Sequence, residues 1–303
     1  MAQSYDLIVI GEGISGLTCA SHAARAGLRV ATLESTLFGG LVINVNELDG
    51  YSEGGHGSGT ELASALMQSS ADAGVKSIQE AVTGIHPAGA AFEVATDSAR
   101  YAARSVVIAS GARLRKLGVP GEAEFEGRGV SSCADCDGPM YQNEDVVVVG
   151  GGDSALQEAL VLAHYCRSVK VVHRGSELRA QQHLAEQVRA NPKISFVWKS
   201  TVEAILGGKM VEKVRIRHAD GGKTEEMASA GVFAYIGLAP SAGFAPAGIA
   251  RDAGGYLVAN ENGETSIPGI FAIGAVRAGY SGLLRDAVPE ARRAADAVRD
   301  RLD

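Results

Sequence analysis

The feature that most restricts this chain is a glycine pattern that occurs twice, each time directly after a short apolar run. The first run, Tyr5–Ile10, reads as a buried parallel strand, and Gly11-Glu12-Gly13-Ile14-Ser15-Gly16 follows at once. A helix is predicted to about Ala26, stopped by Gly27. A second strand is predicted over Arg29–Leu33, with Glu34 at its end, 18 residues after Gly16. Gly11 makes the tight turn, Gly13 lets the backbone approach a pyrophosphate, and Gly16 lets helix and strand pack closely. The N–H groups of the first helical turn, which includes Ser15, face the phosphates, and Glu34 can accept hydrogen bonds from a ribose. A glycine-rich turn with no ligand is the competing reading. Against it, strand, helix, second strand and acid all stand in order.

The pattern returns at mid-chain. A Val-rich strand over Asp145–Val149 runs into Gly150-Gly151-Gly152-Asp153-Ser154-Ala155, where Ala155 replaces the third glycine as a small packing residue. A helix over Ser154–Cys166 and a strand over Val169–Val172 follow. Where an NAD site would carry an acid stand His173 and Arg174, with Arg179 five residues beyond. Cationic side chains there suit the 2′-phosphate of NADP. The alternative is a set of solvated surface charges, and Gly175 does interrupt the basic cluster. Two such units imply two dinucleotides. NADPH as hydride donor and FAD as tightly held acceptor make a complete electron path.

The length of 303 residues suits two domains, and 39 glycines against 8 prolines suit tight backbone approaches rather than a low-complexity linker. A net charge of −7 lacks the electrostatic footprint of a nucleic-acid binder. No apolar run reaches the ~18–20 residues that cross a bilayer. The opening Met-Ala-Gln-Ser-Tyr-Asp has no basic region ahead of an apolar core, so a cytoplasmic protein is expected. Val106–Ala112 reads as a buried strand closing on a small-residue turn that contains Ala109 and Gly111. Ala230–Gly237 repeats that ending with Ile236 and Gly237, and Thr265–Ala275 repeats it again with Gly274 and Ala275. Arg113–Pro120 and Leu238–Pro246 read as connections, and Leu283–Leu302 as an amphipathic helix interrupted or started near Pro289. The expected fold is α/β, with two Rossmann-like three-layer dinucleotide-binding domains. The second, 117–243, is inserted into the first, 1–116 and 244–303.

Cys133-Ala134-Asp135-Cys136 lies inside the inserted domain, 14 residues ahead of Gly150. Thiols at this spacing can close a disulfide without moving the chain far. Asp137, next to Cys136, offers a carboxyl to carry the proton that thiol–disulfide exchange requires. A structural zinc site would need four ligands, usually two such pairs, and Cys19 and Cys166 supply no second pair. Both read as buried small residues within helices. An inert pair of thiols is the remaining alternative.

Together these residues resemble the low-molecular-weight thioredoxin reductases over essentially the whole chain. The likeness rests on Gly11–Gly16, Gly39-Gly40, Ala109–Ala112, Cys133–Gly138, Gly150–Ala155, His173–Arg179, Gly231–Gly237, Thr265–Gly274 and Arg285–Ala287. Its most specific element is C-x-x-C-D-G inside the pyridine-nucleotide domain. The resemblance implies an NADPH-dependent homodimer with one FAD per subunit. Electrons would pass from NADPH through FAD to Cys133–Cys136, and on to a thioredoxin-like protein or a small disulfide. It implies that Gly40, Leu41, Arg285 and Ala287 also border the flavin, that the two domains rotate, that Cys136 faces the flavin and that Cys133 attacks the partner. Four departures stand out: Ala275 where the family carries Asp, Gly175 where it carries a second Arg, Leu41 where it carries Gln, and Glu12 with its charge beside the flavin phosphates. Two other activities fit the same architecture: a flavin-dependent dithiol oxidase using oxygen, and a degenerate nucleotide-binding sensor or scaffold.

Overall fold

The computed structural model describes residues 4–45, 48, 55 and 57–303; Met1–Gln3, read above for a targeting signal, lie outside the described residues. In chain order the elements are β1 (Ser4–Ile10), α1 (Ile14–Arg25), β2 (Val30–Leu33), α2 (Gly59–Asp72), β3 (Lys76–Ile78), β4 (Val82–Ala88), β5 (Ala91–Thr96), β6 (Arg100–Ile108) and β7 (Ala112–Leu114). There follow β8 (Val130–Ser131), α3 (Ala134–Asp137), β9 (Asp145–Gly150), α4 (Asp153–Tyr165), β10 (Ser168–Val172), α5 (Gln182–Ala190) and β11 (Ile194–Val197). The chain ends with β12 (Ser200–Gly207), β13 (Val211–His218), β14 (Thr224–Ala228), β15 (Gly231–Tyr235), β16 (Leu238–Pro240), β17 (Ile270–Ala272) and α6 (Leu284–Leu302). Two compact units result: Met1–Arg113 with Ala239–Asp303, and Leu114–Leu238. The chain leaves and re-enters the first unit a few residues before the expected 116/117 and 243/244, because the short strands β7 and β16 carry the crossings rather than the turns beyond them.

In the first unit the sheet order is β3-β2-β1-β6-β5-β4, with β17 also on β6. Long β6 pairs with parallel β1 along one edge from Ala102 to Ile108. Its other edge is shared: Arg100–Ala103 pair with antiparallel β5, and Val106–Ile108 pair with parallel β17. Side chains along β1 alternate between faces, and both faces are buried. Leu7 and Val9 pack with Cys19, Ala20 and Ala23 of α1 and Ala291, Ala294 and Val298 of α6. Ile8 and Ile10 pack on the opposite face with Ile85, Val94 and Leu257. Helix α6 begins at Leu284, ahead of Pro289, and continues through it.

The second unit follows the same plan. Its sheet, β11-β10-β9-β15-β8, is parallel throughout. Val146 and Val148 face α4 and α5 through Leu156, Leu162 and Val188. Val147 and Val149 face the antiparallel sheet β12-β13-β14 through Val202, Val214 and Ile216. A continuous valine run suits a strand buried on both sides, and Asp145–Gly150 is such a run. Among the described residues no helix is long and apolar enough to cross a membrane.

Candidate active site

Ligand-binding loops of parallel α/β sheets gather beyond the carboxyl ends of the strands. In the first unit that edge holds Gly11–Gly16 after β1, Ala109 and Gly111 after β6, and Gly274-Ala275 after β17. A Cβ on Gly16 would lie 1.9 Å from the Gly11 carbonyl oxygen, and one on Gly11 would lie 2.4 Å from that of Ala109. The absent side chains are what allow α1 to start against the sheet. Gly274 meets the same helix, since a Cβ there would lie 2.6 Å from Ser15 Oγ. Gly39 donates its N–H to Glu12 O at 2.6 Å, which sets Gly40 beside Gly13.

This cradle fits a dinucleotide. Gly13 caps α1 without a side-chain hydrogen bond, and a Cβ there would meet only the Gly39 oxygen, at 3.9 Å. The helix start therefore has no side-chain cap and leaves space beside Gly13, as a pyrophosphate requires. Glu34 Oε1 accepts from the backbone N–H groups and hydroxyls of Ser35 and Thr36, and among the described residues Oε2 accepts only from Glu12 N, at 3.0 Å. A carboxylate oxygen has two lone pairs, so Oε2 retains one for a ribose hydroxyl. Leu41 is exposed, Arg285 lies exposed in the first turn of α6, and Ala287 is buried beside Ile14.

Glu12 differs from expectation. Its side chain is 3% exposed and turns into the sheet, where Oε1 accepts hydrogen bonds from Thr32 Oγ1 at 2.5 Å and Ser77 Oγ at 2.6 Å. Two hydroxyl donors satisfy that oxygen away from the phosphate-facing loop. Beside Ala275 a different carboxylate appears. Glu290 of α6, 6% exposed, accepts from Gly274 N at 3.1 Å and pairs with Arg277 Nε.

The second unit presents the same edge with one addition. Gly150–Gly152 follow β9, Ile236-Gly237 follow β15, His173-Arg174 follow β10, and Cys133 follows β8. The nucleotide loop and the dithiol thus lie on one sheet edge. Ala155 packs over Gly150, where a Cβ would lie 2.8 Å from the alanine methyl and 2.4 Å from the Tyr235 oxygen. A Cβ on Gly152 would meet nothing within 4 Å, and this residue caps α4 without a side-chain bond, so this cradle too fits a pyrophosphate, with exposed Ser154 in the first turn. Arg179 donates its backbone N–H to Gly151 O at 2.8 Å, which brings it over the loop. Among the described residues neither Arg174 nor Arg179 forms an ion pair with a carboxylate, and both are exposed.

Two expected contacts take another form. His173 is buried, with its ring over Gly151 and Nε2 bonded to Glu177 O at 2.9 Å, so it braces the loop. The Asp153 carboxylate is held by Gln181, through N at 2.7 Å and Nε2 at 2.8 Å, which lowers its pKa and ties the basic loop to α4.

Cys133 and Cys136 form a disulfide with Cα atoms 5.3 Å apart. Cys133 Sγ accepts the Cys136 N–H at 3.2 Å. Asp137 follows, and its charge, after burial, is the next cause that raises the Tyr141 pKa. Burial pushes the Cys19 thiol up to about 12 and the Cys166 thiol up to about 11, as expected of inert core residues. Sequence reasoning passed over Glu158 on α4, whose Oε2 accepts from Ala134 N at 2.9 Å and from Tyr235 Oη at 3.1 Å. It also passed over Glu290. Each acid sits on the buried stripe of its helix, between Ala155 and Leu162 and between Ala287 and Ala294. A carboxylate on an apolar stripe was the available signal.

The sequence profile of the pyridine nucleotide-disulphide oxidoreductases matches residues 5–296. The thioredoxin reductase of Treponema pallidum is 41% identical over 281 residues, covering 92% of this chain and 91% of that one. The thioredoxin reductase of Listeria innocua is 40% identical over 281 residues, covering 90% and 86%. The crystal structure of Lactococcus lactis thioredoxin reductase superposes with a TM-score of 0.91 at 36% identity, covering 98% of this chain and 99% of that one. Fold, loops and disulfide define a two-nucleotide flavoprotein that reduces disulfides, with FAD and NADPH as its cofactors. The chain belongs to the pyridine nucleotide-disulphide oxidoreductase family.

Replacing Glu290 with alanine leaves Arg277 and the Gly274 N–H without their buried acceptor. Breaking a buried pair costs about 3–5 kcal/mol, so Glu290→Ala is expected to lower the urea midpoint at unchanged slope. A wild-type midpoint would mean that water replaces the carboxylate at no cost.

Proposed function

We propose that this chain reduces the disulfide of a thioredoxin-like protein with electrons from NADPH, with FAD in the first unit and NADPH in the second. The observation that carries the reading is the shared sheet edge of Gly150–Gly152 and the Cys133–Cys136 disulfide. A protein partner is supported by Met140, 72% exposed four residues beyond Cys136, and by the names of the relatives. Gly11, Gly13, Ser15, Gly16, Glu34, Gly40, Leu41, Ala109, Gly111, Gly274, Ala275, Arg285 and Ala287 are assigned to FAD. Gly150, Gly152, Ser154, Ala155, Arg174, Arg179, Ile236 and Gly237 are assigned to NADPH, with Asp153 and His173 fixing the loop around it. When bound, FAD supplies the two-electron relay between nicotinamide and disulfide.

The chain's own residues perform the exchange. Reduction of Cys133–Cys136 consumes one hydride from NADPH and one proton, and yields two thiols. The Cys133 thiolate attacks one sulfur of the partner disulfide, forming a mixed disulfide and releasing a partner thiol. Cys136 then attacks Cys133 Sγ, releases the second partner thiol and restores the intramolecular disulfide. The hydrogen bond from Cys136 N to Cys133 Sγ supports Cys133 as the attacking thiolate. Asp137 carries the protons. A homodimer and a cytoplasmic setting accompany this reading. The family resemblance supports the first, and a dithiol chemistry suited to a reducing compartment supports the second. Arg174 and Arg179, which form no ion pair with a carboxylate among the described residues and follow the second glycine loop, favour nucleotide-driven reduction over an oxygen-using dithiol oxidase.

Cys133→Ser and Cys136→Ser are each expected to abolish disulfide reduction while NADPH still bleaches the flavin without oxygen. Asp137→Asn is expected to slow dithiol turnover by ~10²–10⁴-fold with flavin content unchanged. Turnover in either serine variant discards the dithiol route, and a full-speed Asp137→Asn enzyme makes that residue a turn former. Each charge-assisted hydrogen bond to the 2′-phosphate is worth ~1.5–3 kcal/mol, so NADPH should exceed NADH in kcat/KM by roughly tenfold or more. Arg174→Ala is expected to erode that preference through KM. Equal kcat/KM for the two nucleotides in the unaltered enzyme contradicts the assignment.

A further inference from the structure

The four-residue helix α3 that carries the disulfide is anchored in its unit through Ala134. The Ala134 side chain is fully buried in the core formed by α4 and the sheet. Its N–H is donated to Glu158 Oε2, and the same oxygen accepts the Tyr235 hydroxyl. Glu158 lies on α4, the helix that begins at the open Gly152, and Tyr235 ends the strand that runs beside Gly150. One carboxylate thus joins the nucleotide-loop helix, strand β15 and the peptide that follows Cys133.

The charge on this carboxylate is not neutralised. Among the described residues Glu158 forms no ion pair, and the other ionised side chain that acts on it is Asp135, also acidic. Burial is the largest influence on Glu158 and raises its pKa, while the two hydrogen bonds oppose that rise. Burial, with Glu158 next, raises the Tyr235 phenol too, so the hydroxyl stays a donor.

We infer that Glu158 is a positioning residue for the redox disulfide and that its negative charge keeps the dithiol strongly reducing. The inference rests on the redox role of Cys133 and Cys136. In the disulfide neither sulfur is charged, so a nearby carboxylate costs the oxidised form little. On reduction, an anion held at the N–H of Ala134, the residue after Cys133, would disfavour the Cys133 thiolate. A dithiol whose thiolate is less stabilised belongs to a couple of lower potential, which passes electrons onward more readily. The Ala134 N–H is also committed to the carboxylate, which leaves the Cys136 N–H as the donor on Cys133 Sγ.

The test uses the full-length flavin-loaded protein. Glu158→Gln keeps an oxygen for Ala134 N and Tyr235 Oη and removes the charge. The Cys133 thiol pKa is read from the pH dependence of iodoacetamide alkylation in a Cys136→Ser background. Removing one like charge should shift that ionisation about tenfold toward the thiolate. The disulfide potential, read at pH 9 against dithiothreitol mixtures, should rise by up to the same tenfold, or about 30 mV for a two-electron couple. Tyr235→Phe, which removes the donor that spreads the carboxylate charge, should shift the thiol pKa upward, opposite to Glu158→Gln. A tether with no electrostatic part would give neither shift. An unshifted pKa and potential in Glu158→Gln overturn the inference while leaving the redox disulfide in place. A disulfide that neither anaerobic NADPH nor excess dithiothreitol reduces in the unaltered protein overturns both.

Discussion

Everything in the two nucleotide cradles depends on how closely a helix can start against a strand. In the first unit the missing side chain of Gly16 lets α1 lie against the Gly11 carbonyl, with Ala109 directly behind. In the second, the methyl of Ala155 fills the equivalent space over Gly150. At the two helix starts Gly13 and Gly152 provide no side-chain cap and leave space for a ligand. A bulkier residue at either contact would push the helix away and dissolve the cradle, because packed interiors resist overfilling.

Both units cover a parallel sheet with helices on one face and antiparallel strands on the other, and both bring their chemistry to the carboxyl edge. In the second unit the short strand β8 adds the dithiol to that edge, beside β15. Sheet order therefore does what sequence distance does not: it sets Cys133 and Gly150 on one side of one sheet. The carboxylate of Glu158 then ties the disulfide helix to the helix that begins at the glycine loop.

Much of this was legible in the residues. The runs Tyr5–Ile10 and Asp145–Val149, their glycine loops, and the following helices and strands form within a residue or so of expectation. Local patterns suffice there, since the apolar run, the breaker and the helical stripe are all short-range signals. The antiparallel layer was not anticipated, although Val211–His218 carries an apolar–polar alternation over Val214–Arg217. Its pairing partners are set by long-range register, which no local signal reports. The orientation of Glu12 depends on Thr32 and Ser77 arriving from neighbouring strands, and the use of Asp153 depends on Gln181. Residue type identified a carboxylate in both cases, and tertiary contacts decided where it pointed.

The most direct measurement is a thiol count before and after anaerobic NADPH. The chain has 4 cysteines, and the Cys133–Cys136 disulfide leaves Cys19 and Cys166 free. Oxidised, flavin-loaded protein denatured in acid and titrated with a chromogenic disulfide should show those two thiols. After NADPH, four should appear, and the two new ones should map to Cys133 and Cys136. A count that stays at two while the flavin is fully bleached would show that electrons do not reach the disulfide, and would contradict the electron path on which the functional reading stands.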